Sequence, residues 1–325
     1  MLPIEEILDS AARSFLQPPQ PLQPLQPIGR SREGRDILGA VLGSGPRHVS
    51  LIGGCHPDEP VGPAMLRRLV GYLSSRPDDR YTWYIVPHVN PDGEARNAAW
   101  SEPGLQAGVF DLGPFLRHAV REKPGDDMEF GFPDLRPENR AVAEFLAGGA
   151  PFILHGSFHS IAFAPGPWFL IEPAWIDRTA SLRNALRERV RALGYGVFDV
   201  DRGGEKGFRR IDEGFSTRPD SRSMIAWFEE RGDPAAAAKF RPSSMEYVRS
   251  LGGDPFTFVS EMPLFLRPLP EGDTGRPDDP IFRAWLERVA LSGDDQVRGM
   301  PIRDQMRLQL AFLDEALQAA RGDES

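Results

Sequence analysis

The chain has one cysteine, Cys55, among 325 residues. That excludes a disulfide framework and any zinc site built from several thiolates. It has no apolar run approaching the ~20 residues that a membrane-spanning helix needs. The amino terminus, Met1 to Ser10, has no basic start, no apolar stretch and no small-residue cleavage site. No signal peptide is therefore expected, and a cytoplasmic location is the default expectation. Positive charge is also short. Lysine and arginine number 38 against 47 acidic residues, a net charge of −9, which argues against nucleic acid or an anionic membrane as partner. No internal repeat is found, and nothing in the composition fixes an oligomeric state. What is present is a 40% hydrophobic content, enough to bury a sizeable core.

Proline is plentiful but unevenly placed. Gln17 to Pro27 alternates proline with glutamine and leucine and favours polyproline II, so residues 1–27 are expected to form a short amphipathic helix and a proline-rich strap. Residues 28–325 are expected to form one domain. Strand-like runs occur at Asp36–Gly43, His48–Ile52, Tyr81–Val89, Pro151–Ser160, Trp168–Glu172 and Pro255–Met262, rich in β-branched and aromatic residues. Helical periodicity marks 63–75, 136–146, 174–193, 245–251, 280–292 and 302–320. Asn90-Pro-Asp-Gly93 reads as a turn, residues 94–136 as an irregular functional loop, and 194–240 as weakly patterned.

The stretch Val49 to Gly62 organises the rest. A buried strand stops at Gly53-Gly54 and delivers His56 and Glu59 to its end, and a helix follows at once. Open α/β sheets place their chemistry at such strand ends. An imidazole and a carboxylate three residues apart can converge on one zinc ion. The pair alone is weak evidence, since chance supplies a His-x-x-Glu in roughly one such chain in three. Two later strand ends complete a site: His159 in Ser157-Phe-His-Ser160, and Glu261 in Val259-Ser-Glu-Met-Pro263. His56, Glu59 and His159 would hold one zinc per chain, with Glu261 near the open position as general base.

With these motifs assembled, the chain resembles the zinc carboxypeptidase family of metallopeptidases, together with its deacylase-like relatives that cleave small acyl amides. The resemblance rests on His56-Pro-Asp-Glu-Pro-Val-Gly62, Asn90-Pro-Asp-Gly93, Ser157-Phe-His-Ser160 and Glu261, in that order, across most of residues 30–265. It implies an α/β fold with a mixed twisted eight-stranded sheet and helices on both faces. It also implies one zinc held by His56, Glu59 and His159, with Glu261 as base. His155 lies four residues before His159 on the same strand face. The family's Ser-x-His-Ser setting favours His159 as the ligand and leaves His155 packed or behind the site.

Departures from the family pattern are specific. Its carboxypeptidases grip the substrate's terminal carboxylate with an Asn-Arg pair after the Asn-Pro-Asp-Gly turn. Here the most similar segment, Val109 to Phe115, has Gly113 and Pro114 instead, and the expected lid tyrosine falls in Ala235 to Phe240. Arg96 is the candidate for stabilising the oxyanion, beside Asn97. Asp126, Asp127 and Glu129 are candidates for binding a basic or amine-bearing substrate group. The loop from Gly203 to Arg218 is expected to fold over the site, where one of its cations could replace the clamp. The expected function is a zinc-dependent hydrolase of an amide bond in a small peptide or amide substrate. The alternatives are a deacylase of a small N-acyl amino acid or amine and, in another class, a non-catalytic metal-binding protein.

Overall fold

The computed structural model describes residues 1–10, 24–76, 78–123, 125–273, 279–292 and 296–321. The proline-rich strap up to residue 23 lies outside them. The elements run α1 (Ile4–Ser10), β1 (Gln26–Arg30), β2 (Asp36–Gly43), β3 (Arg47–Gly53), α2 (Val61–Ser75), β4 (Tyr81–Val86), α3 (Pro91–Ala107), α4 (Leu112–His118) and α5 (Pro137–Ala147). They continue with β5 (Leu154–Ala164), β6 (Trp168–Ile171), α6 (Ala180–Ala192), β7 (Arg210–Asp212), β8 (Phe215–Thr217), α7 (Ser221–Glu229), α8 (Pro234–Ala237) and α9 (Ser244–Ser250). The last four are β9 (Phe256–Leu266), α10 (Pro280–Ser292), β10 (Arg298–Gly299) and α11 (Ile302–Arg321).

The mixed α/β sheet is present with ten strands among the described residues, in the order β1-β2-β4-β3-β5-β9-β6-β8-β7, with β10 also on β9. Strands β4, β3, β5 and β9 form its parallel centre, flanked by antiparallel pairs. Parallel strands covered on both faces need near-continuous apolar sequence. Strand β3 has it: Val49, Leu51 and Ile52 are fully buried. On one face, Leu66, Leu69 and Val70 of α2 and Leu308 and Phe312 of α11 pack with Phe158 and Phe258. On the other, Val142 and Leu146 of α5 and Val248 of α9 pack with Ile52, Val86 and Phe152.

Three local readings change. Asn90-Pro-Asp-Gly93 is the start of α3 rather than a turn between strands: Asn90 is the N-cap, its side chain accepts from the Gly93 N–H at 2.9 Å, and Pro91 begins the helix. The stretch read as irregular contains α3 and α4. Pro103 and Gly104 lie inside α3 and hide its periodicity, and tertiary packing of Trp100 edge-on to Phe110 and Phe115 holds it. The single helix expected over 174–193 is a 3-10 turn at Pro173–Arg178 followed by α6. Thr179 between them donates its hydroxyl to Trp175 O at 2.9 Å.

Candidate metal centre

Strand register brings the candidate residues together. Parallel pairing sets Gly53 of β3 beside Phe158 of β5, and His159 of β5 beside Glu261 of β9. Adjacent residues in a ladder share a sheet face, so His159 and Glu261 point the same way and the His56 loop rises beside them. Two glycines permit the approach. A Cβ on Gly62, in the first turn of α2, would lie 2.4 Å from the Phe158 carbonyl oxygen. A Cβ on Gly93 would lie 2.4 Å from Pro57, so the α3 N-terminus backs directly onto the loop that carries His56.

The ligand atoms face one another closely. His56 Nδ1 lies 2.8 Å from Glu59 Oε1, His159 Nδ1 lies 2.9 Å from Glu59 Oε2, and the two Nδ1 atoms are 3.2 Å apart. Donors bound tetrahedrally to zinc at about 2.0–2.1 Å lie roughly 3.3 Å from each other, so this spacing fits the ion. Both outward nitrogens meet carboxylates: His159 Nε2 is 3.1 Å from Glu129 Oε2 and His56 Nε2 is 3.9 Å from Asp127 Oδ2. Histidine ligands commonly have such partners behind them.

The electrostatics are those of a buried anionic cluster seeking positive charge. Burial opposes charge on His56, but the Glu59 carboxylate outweighs it and raises the imidazole to about 10. Burial likewise opposes charge on Glu59, yet His56 and His159 hold it down at about 2. Glu261 has no such surplus. Burial, then repulsion from Glu59, pushes it up to about 7. Burial also raises Asp127, with His56 pulling the other way.

A cavity of about 470 Å³ opens over the cluster, lined by His56, Glu59, His159 and Glu261. Its remaining walls are largely apolar, with Phe130, Trp168, Phe208 and Met245 prominent. Arg121 lines it too, its Nε 2.6 Å from Asp58 in the His56 loop. Arg202, Lys206 and Arg218 line it from the stretch expected to fold over the site.

The other candidates are distributed differently. Asp127 and Glu129 line the cavity, but from behind the histidines. Asp126 is outside the lining and pairs with Lys239 at 2.8 Å. Arg96 also lies outside the lining, held by Glu33. Asn97 is buried, and its amide joins the Gly93 and Val120 carbonyls to Trp100 and the Val120 N–H. Gly113 and Pro114 belong to α4 and do not line the cavity. His155 is fully buried between Ser50 Oγ at 2.8 Å and Ser244 Oγ at 3.1 Å, and burial pushes it down to about 3. Nothing in the sequence separated Arg121 from the other arginines of its region, because its place depends on how the 119–123 stretch returns to Asp58.

Two histidines and a glutamate at the strand ends of an open α/β sheet, over a cavity, form a candidate metal centre. Residues 19–164 match the model of the zinc carboxypeptidase family. That segment contains all three candidate ligands and ends before Glu261. Zinc carboxypeptidase A 1 of Anopheles gambiae is 27% identical over 137 residues, covering 38% of this chain and 30% of that protein. The chain thus spans less than a third of the curated relative it matches. A solved metallopeptidase structure from Shewanella amazonensis superposes with a TM-score of 0.51 at 14% identity, covering 96% of this chain and 91% of the other. A carboxypeptidase structure from Burkholderia mallei gives 0.50 at 17%, covering 98% and 67%. At these identities the two structures speak for the fold alone. No helix among the described residues is long and apolar enough to cross a membrane.

Proposed function

We propose that the chain is a zinc-dependent hydrolase that cleaves an amide bond in a small peptide bearing a free carboxylate. The observation that carries this is the triangle of His56 Nδ1, Glu59 and His159 Nδ1, with Glu261 beside it on the neighbouring strand. When bound there, zinc supplies a Lewis acid that polarises a carbonyl and acidifies water.

The chain's own residues supply the rest. Glu261, in its carboxylate form, takes a proton from the attacking water and returns it to the leaving nitrogen. Burial of that carboxyl raises its affinity for a proton, which suits a group that holds one between the two transfers. Arg121, anchored through Nε on Asp58, replaces Arg96 as the cation for a developing oxyanion, because it lines the cavity and Arg96 does not. The apolar wall at Trp168, Phe208 and Met245 excludes water and receives a side chain. On the same lining, Arg202 and Lys206 offer positive charge for the carboxylate end, whereas Arg218 is paired with Glu172.

A deacylase acting on a small N-acyl amino acid is the second reading, favoured because no asparagine lines the cavity among the described residues. The test is a panel of short peptides and N-acyl amino acids given to zinc-loaded wild type and Glu261→Gln. Release of a carboxyl-terminal amino acid, abolished in Glu261→Gln with zinc retained, supports the first reading. Release only of an acyl acid supports the second. No hydrolysis, with function in cells unchanged in Glu261→Gln, supports a non-catalytic metal-binding protein.

A further inference from the structure

The three atoms that would hold zinc include His159 Nδ1, so that nitrogen must present a lone pair and Nε2 must carry the ring's proton. Ser157 Oγ, 2.8 Å from Nε2, does not decide this, because a hydroxyl both donates and accepts. Glu129 does decide it. Its carboxylate is buried, accepts only, and stands 3.1 Å from Nε2. That oxygen has no aligned hydrogen-bond donor, and it lies against the edge of the imidazole at 3.1 Å. With an acceptor-only group at Nε2, the proton sits there, Ser157 Oγ shares it, and the Nδ1 lone pair turns toward Glu59 and His56.

We propose that Glu129 is a positioning residue for the metal: it fixes the tautomer and orientation of His159 and adds negative charge behind that ligand. This rests on the zinc-binding reading above. It assigns Glu129 to the ion rather than to a substrate amine. It also accounts for the order of groups running back from the cavity, with Glu129, Ser157 and Cys55 gathered on the far edge of one imidazole.

The experiment measures zinc affinity by chelator competition for wild type, Glu129→Gln and Glu129→Asp, each checked for folding by circular dichroism. Zinc binding by wild type tests the metal site itself, and only the comparison among variants tests Glu129. The expected result is affinity weakened about 10- to 100-fold in Glu129→Gln and by less in Glu129→Asp, which keeps the charge. In zinc-loaded wild type, long-range proton–nitrogen NMR should place a single proton on His159 Nε2 with a strongly hydrogen-bonded shift. Where Glu129→Gln does not fold, the affinity and this proton shift of Glu129→Asp are compared with wild type instead. Affinity within threefold of wild type in a folded Glu129→Gln would overturn the proposal, as would a proton on Nδ1. Two zinc ions in wild type, with the second lost in both Glu129→Gln and Cys55→Ser, would also overturn it, making Glu129 a ligand in its own right.

Discussion

Replacing Glu172 with alanine removes the counter-charge beneath the cavity wall. Arg218 is only 6% exposed and sits at the end of β8. Its Nε donates to Glu172 Oε2 at 3.0 Å and to Thr257 Oγ1 at 2.9 Å, Nη2 donates to the same carboxylate, and Nη1 donates to Pro219 O at 3.2 Å. Two of these four bonds end on Glu172. A hydrogen bond to a charged group contributes about 1.5–3 kcal/mol, so losing both amounts to about 3–6 kcal/mol. Stranding one member of a buried ion pair independently suggests about 3–5 kcal/mol. Taking about 4 kcal/mol, and an unfolding entropy near 2.1 cal/mol/K per residue, or about 0.7 kcal/mol/K for this chain, the melting temperature should fall by about 6 °C. Calorimetry at neutral pH with zinc present checks this. Glu172→Gln, which keeps an acceptor, should lose less, and a Glu172→Met, Arg218→Met double variant should recover most of the loss. A fall of less than about 1 °C in Glu172→Ala would refute the reasoning, because it would mean that water already solvates Arg218.

His159→Ala should lose zinc by elemental analysis, while His155→Ala keeps about one per chain but loses about 1–3 kcal/mol of stability, since Ser50 and Ser244 lose their buried partner. Zinc retained in His159→Ala would reject the ligand set. Glu261 is raised from 4.5 to about 7 in the folded chain without metal, so the unfolded chain releases this proton first as pH rises. The group's contribution is therefore fully present below about pH 4.5 and is lost on the way to about pH 7. Metal-free Glu261→Gln should match metal-free wild type in acid and exceed it in stability above neutrality; equal denaturant curves at both ends would contradict the burial argument. Gly62→Ala forces a Cβ to within 2.4 Å of the Phe158 carbonyl and should cost about 1–3 kcal/mol while lowering zinc content. A normal melt with full zinc loading would show that the α2–β5 contact is softer than the geometry implies.

The parallel centre was legible because each of its strands is an apolar run bounded by glycine, proline or polar residues, and β3, β4, β5 and β9 fall where those runs lie. The convergence of the candidate ligands was legible for a related reason: His56, Glu59 and His159, like Glu261 beside them, follow such strands or end them, and neighbouring parallel strands end on the same edge. The walls were not. Strands β7 and β8 span three residues each, too short for any period to show, and α3 contains a proline and a glycine. Arg121 and Arg96 are indistinguishable as sequence. One meets Asp58 and the other Glu33, and only the tertiary path of the chain decides which faces the cavity. Glu129 was legible as an acid of the site region but not as a partner of His159, since that contact joins a loop to a strand thirty residues later.

Strands β5 and β9 pair from Leu154 opposite Phe256 to Ala164 opposite Leu266, although the whole stretch from Trp168 to Ser250 intervenes. That stretch leaves the ladder at one end of β5 and returns to it at the start of β9. It carries Trp168, Lys206, Phe208 and Met245, whereas His56, Glu59, His159 and Glu261 all belong to the strands it departs from or rejoins or to the neighbouring β3 loop. Much of the cavity's apolar wall and the candidate centre thus lie on separate lengths of polypeptide. The first strand of the intervening stretch, β6, is itself laddered to β9 with Trp168 opposite Glu261, so a change in this stretch is felt at the centre through one strand pair.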